Sequence, residues 1–69
     1  MNEEHFNQSI RVFLKNVGVR SQREIEQVVD QARMAGKLKG NEHIPAHMQL
    51  EIPSLGISVR FDHHIELER

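Results

Sequence analysis

The spacing at which apolar residues recur changes once along this chain, near Gly40, and that change decides the fold class. Before it, Phe6, Ile10, Phe13, Leu14 and Val17 fall at i, i+4, i+7, i+8 and i+11, the single stripe of an amphipathic helix. After it, Met48, Leu50 and Ile52 alternate with His47, Gln49 and Glu51, and Ile57, Val59 and Phe61 alternate with Ser58, Arg60 and Asp62. Strict alternation is the mark of a half-buried strand. Helices first and strands afterwards make an α+β chain.

Local signals predict two helices. The first spans about residues 3–16, with Asn2 as its cap, Glu3 and Glu4 at the positive end of the dipole, and Gly18 as the left-handed residue that ends it. Ser21 and Glu24 form a capping box that opens a second helix over about residues 22–35, and Val19 is placed to staple its entry. Ile25, Val28, Val29, Ala32 and Ala35 give its inner face, and Gly36 stops it. Lys37 and Lys39 complement the negative end. A linker as short as "NVGVR" makes the helices packed neighbours.

In the second half, "PSLG" punctuates a hairpin between strands at about 47–52 and 57–62. Pairing Ile52 with Ile57 also pairs Leu50 with Val59, Met48 with Phe61, Gln49 with Arg60 and His47 with Asp62. One register thus satisfies both faces, and a slip of one residue ruins both. For the tail "DHHIELER" two arrangements are open. A turn at Asp62, His63 and His64 gives a third strand over about 65–68. Alternatively the second strand continues and Ile65 meets Ile44. Because three strands form a more stable sheet than two, the meander is the expectation. The architecture is then ααβββ, or ααββ with a long hairpin, with both helices on one face of a small antiparallel sheet. The expected core is Phe6, Ile10, Phe13, Leu14, Ile25, Val28, Val29, Leu50, Val59 and Phe61.

With 69 residues the chain is expected to form one domain, 1–69, with a small core. It contains no cysteine, which removes thiol chemistry and Cys-type zinc sites. No segment approaches the ~18 apolar residues of a membrane span. "MNEEHFNQS" starts with acids where a signal peptide has a basic start and an apolar run, so the expected location is the cytoplasm.

Helix, short turn, helix and hairpin is also the order of a winged helix-turn-helix. A DNA-binding reading would use Arg20, Arg23, Gln27, Lys37, Lys39 and Arg60. Charge argues against it. Nine Lys and Arg stand against ten Asp and Glu, for a net charge of -1, whereas phosphate binding draws on a basic excess. Glu26 and Asp30 would also point carboxylates into the groove.

Five histidines in the chain raise a metal hypothesis, with Glu42, His43, His47 and His64 as candidate ligands. Pro45 denies His43 and His47 the helical i, i+4 geometry, and Asp62 supplies His47 with an ordinary cross-strand partner. Protonation of this edge below about pH 6.5 offers a pH sensor as a further alternative. Catalytic patterns are lacking. Ser21 is explained by capping and Ser54 by the turn, and "GKLKGN" lacks the phosphate-loop pattern. The chain is therefore read as a non-enzymatic protein with no cofactor, binding an unknown protein partner or a second copy of itself. Val12, Leu38, Ile44 and Leu55, apolar outside the main stripes, and the sheet edges near Pro45 or at the C-terminal strand are its natural contact surfaces.

The stretch "MNEEHFNQSIRVFLKNVGVRSQREIEQVVDQARMAGKLKGNEHIPAHMQLEI" resembles a family of small proteobacterial proteins known only as a domain of unknown function. Its pattern is M-N-E-x-x-F-N-x-S-[LI]-R-x-F-L-K-x-V-G-V-x-S-Q-x-x-I-E, followed by G-x-L-K-G and a short β-rich end. The resemblance covers nearly the whole chain and implies a bacterial cytosolic protein. It implies no activity, cofactor or catalytic residue.

Overall fold

A computed structural model describes residues 1–68; the expected domain 1–69 therefore reaches Arg69, which lies outside the described residues. The order of elements is one helix, α1 (Glu3–Met34), and two strands, β1 (His43–Ile52) and β2 (Ile57–Glu66), joined by a 3-10 turn at Pro53–Leu55. The class is α+β. The chain divides into two compact units, Met1–Lys37 and the remainder from Leu38 onward.

α1 replaces the two expected helices. Its ends are where the sequence puts them. The Asn2 side chain accepts the His5 N–H at 3.1 Å, and Glu3 and Glu4 occupy the first turn. At the other end Gly36 takes a left-handed φ of 72°. Its N–H donates to the Arg33 carbonyl at 3.0 Å, and that of Lys37 to the Ala32 carbonyl at 2.9 Å. These two bonds are the Schellman closure, which satisfies carbonyls the helix leaves free.

The expected break at Gly18–Ser21 does not form. Gly18 is absent from the residues with positive φ and continues the helix, and Ser21 lies inside it rather than capping a second one. The physical reason is phase. Phe6, Ile10, Leu14, Val17, Ser21, Ile25, Val28 and Ala32 are spaced 4, 4, 3, 4, 4, 3 and 4. That is an eleven-residue repeat of about 3.67 residues per turn, close to the natural helix. The stripe therefore runs through Gly18 on one face of a straight helix, and a turn there would have broken its phase.

The hairpin has the expected register and is longer. Ile52 pairs with Ile57, Leu50 with Val59, Met48 with Phe61, Gln49 with Arg60 and His47 with Asp62. Gly56, left-handed at φ 71°, closes the four-residue connection. The third strand at 65–68 is not formed. Instead β2 runs on, Ile65 pairs with Ile44, and the sheet has two strands. A three-residue turn needs a residue at ease with positive φ, and Asp62-His63-His64 offers no glycine there.

The ladder closes with Leu67 N–H donating to the Glu42 carbonyl at 3.3 Å. Counting by twos from that pair, the even-numbered residues of β1 exchange backbone hydrogen bonds with β2 and the odd-numbered ones sit between. Pro45, opposite His64, therefore turns its missing N–H to the outer edge of β1, where it breaks no bond.

Candidate functional site

Each unit carries one apolar face. No side chain among the described residues is buried. On α1 the stripe leaves Phe13 53% and Leu14 56% exposed; its smaller members, Val17, Ser21 and Ala32, are half-buried by their neighbours. On the hairpin the pairs Ile44–Ile65, Ala46–His63, Met48–Phe61, Leu50–Val59 and Ile52–Ile57 share one face, because side chains alternate along a strand. Ile44, Ala46, Leu50 and Ile52 are half-buried there, while Phe61 remains 57% exposed. The expected core residues thus lie on two apolar faces, and a core of helices packed over a sheet is not what the individual units contain.

His63 is the exception on the hairpin's apolar face. Its Nδ1 accepts the N–H of His64 at 2.9 Å, and it stands opposite the smallest residue of the face, Ala46. The alternation placed it there, but a turn was expected at the same residues and hid it.

The opposite face of the hairpin is polar. Arg60 holds Asp62 at 2.9 Å, and Gln49 donates to the Ser58 hydroxyl at 2.6 Å. His43, His47 and His64 also lie on this face, but they do not converge. His43 and His47 are four residues apart on β1, about 13 Å at strand rise. Glu42, the fourth candidate ligand, is engaged elsewhere: its carboxylate accepts the N–H of Lys39 at 2.8 Å and that of Gly40 at 2.9 Å. The Lys39 amide chiefly holds the carboxyl below the usual carboxylate range; partial desolvation opposes the shift and the Gly40 amide adds to it. Gly40, at φ 104°, lets the chain fold back so that both amides reach one side chain. The signal for this turn in the sequence is an acid two residues after a glycine. Among the described residues no group of three or more His, Asp or Glu side chains could hold a metal ion.

The nucleic-acid candidates are distributed as follows. Arg20, Arg23 and Gln27 fall within about 60° of one another on α1, away from the stripe. Lys37 and Lys39 follow the helix, and Arg60 is paired to Asp62. With α1 continuous through Gly18, the helix-turn-helix on which that reading stood is not formed. Acids are interspersed among these bases, and Asp30 binds Arg33 at 2.8 Å. Of the apolar residues set apart in the sequence, Ile44 joins the hairpin's apolar face and Leu38 is half-buried before β1. Val12 and Leu55 are exposed. Among the described residues no helix is long and apolar enough to cross a membrane.

A family model described as a family of unknown function (DUF6494) matches residues 1–68. No curated protein and no solved structure matches the chain.

Proposed function

The chain belongs to this family of unknown function, and on that premise we propose that it is a non-enzymatic interaction module that acts by associating with itself, and that it does so in the cytoplasm. The observation that carries this reading is that each unit, taken by itself, presents a continuous apolar face and encloses no buried side chain. A two-stranded hairpin is marginal in water by itself, and an amphipathic helix takes most of its stability from what covers its stripe. Polar side chains support binding over chemistry. The carboxylate of Glu42 caps a turn, Asp62 and Asp30 are tied to arginines, and the Ser58 hydroxyl is held by Gln49.

Sedimentation over micromolar to millimolar concentrations tests the proposal, together with melting curves at the same concentrations. Association predicts a mass above one chain and a melting temperature that rises with concentration. A strict monomer that melts cooperatively at one temperature throughout that range overturns it.

A further inference from the structure

The two edges of the hairpin are not equivalent. On β1 the outward-facing backbone groups belong to the odd residues and are interrupted by Pro45, which offers no N–H. On β2 they belong to Ser58, Arg60, Asp62, His64 and Glu66, and no proline lies between Ile57 and Glu66. β2 is therefore the open edge.

We infer that β2 pairs antiparallel with β2 of a second copy about a two-fold axis through His63, joining two hairpins into one four-stranded sheet. This rests on the self-association proposed above and names its surface. In this register Arg60 faces the partner's Glu66, and Asp62 faces the partner's His64; symmetry repeats both pairs. The same pairs are the ones whose backbone groups point outward, so the ladder bonds and the charge pairs coincide. On the other face Phe61 meets the partner's Ile65 and Val59 meets the partner's Leu67, extending the apolar face across the junction on both sides of the axis. His63 meets its own copy on the axis. The His64 N–H, which the His63 ring now occupies at 2.9 Å, is released to the carbonyl of the partner's Asp62.

Neighbouring axes fit less well. An axis through Asp62 sets that carboxylate against its copy, and one through His64 sets Asp62 against Glu66; like charges directly opposite are destabilising. An axis through Phe61 pairs Arg60 with Asp62 but leaves Glu66 opposite Gly56 of the loop. The product also meets a general condition, since a sheet is independently stable with three or more strands and an apolar face, or with a helix packed on it.

The chain has no cysteine, so single cysteines report the register directly. Residues facing across the axis in a non-hydrogen-bonded pair have Cα atoms about 4.5 Å apart, inside the range of a disulfide. Under mild oxidation of the full chain, His63→Cys is expected to form a disulfide dimer to near completion. Ser58→Cys and Phe61→Cys, away from the axis, are expected to stay reduced. Arg60→Glu is expected to weaken association about tenfold or more, because two pairs per dimer become repulsive; Glu66→Arg does the same, and the double variant restores it.

The outcomes separate the inference from the proposal beneath it. A strict monomer overturns both. An oligomer in which Phe61→Cys cross-links and His63→Cys does not, or in which the double variant fails to recover, overturns this register alone. Circular dichroism of each variant, with parental helix and strand content, confirms that a loss of association is not a loss of folding.

Discussion

Replacing Gly18 by alanine separates one continuous helix from two short ones by the sign of the stability change. Gly18 lies in the interior of α1, and a Cβ built on it meets nothing within 4 Å. Neither a clash nor a new contact then modifies the outcome, and the helix-propensity difference acts alone. That difference favours alanine by about 0.8–1.0 kcal/mol. For a chain of this length it corresponds to a melting temperature raised by about 4–8 °C. Gly36→Ala supplies the opposite sign. Its Cβ also meets open space, but its φ of 72° costs an L-residue about 1–2 kcal/mol. Thermal and urea denaturation followed by circular dichroism, at matched protein concentration, read both effects. If Gly18→Ala destabilises the protein as Gly36→Ala does, Gly18 is a left-handed terminator, the helix is broken there, and the phase argument is wrong.

Glu42→Gln is expected to destabilise the protein at pH 7 and to flatten its acid limb. The folded carboxyl titrates below its unfolded value, so its contribution is complete above about pH 4.3 and disappears as pH falls through the lower folded value. Identical stability–pH profiles for variant and parent contradict the turn cap. Asn2→Ala is expected to cost about 1 kcal/mol at the helix start, with faster amide exchange at His5 and unchanged exchange beyond Gly18; protection lost along the whole helix counts against a local cap. Zinc and chelator are both expected to leave the melting temperature unmoved, because Glu42 is engaged by backbone amides. A zinc-dependent rise that chelator reverses restores the metal reading.

The sequence carries the hairpin register almost completely, since each alternating position commits a residue to a face and five pairs agree at once. Asn2 and Gly36 were equally legible, because a cap residue acts on amides and carbonyls one turn away. The errors share one origin, a strong local signal overridden by a longer pattern. "VGVRSQRE" has a glycine stop, a staple and a capping box, yet Leu14, Val17, Ser21 and Ile25 keep a single phase across it. At "DHHI" the stability a third strand would add competes with Ile65 completing the face opposite Ile44, and no glycine there supplies the positive φ of a tight turn. Glu42, a candidate ligand only by standing beside the histidines, is bound locally instead, because the glycine two residues before it lets two amides reach its carboxylate.

Both units are built from short-range pairing. The hydrogen bonds of α1 span four residues, and those of the hairpin join strands separated by a four-residue connection. Neither therefore needs a tertiary core to define its geometry, and neither has one to stabilise it. Asn16, Val17, Gly18 and Val19 together form the poorest helix-forming stretch of α1, midway along the stripe, so that segment in particular depends on being covered. Covering apolar surface returns roughly 25 cal/mol per Å², and in this chain that surface lies on faces already arranged by local structure. Under the self-association proposed above, association and the stability of the elements are one equilibrium. A substitution on either stripe, such as Leu14→Asp or Val59→Asp, should lower oligomer mass and secondary structure together, and should do so most strongly at low concentration.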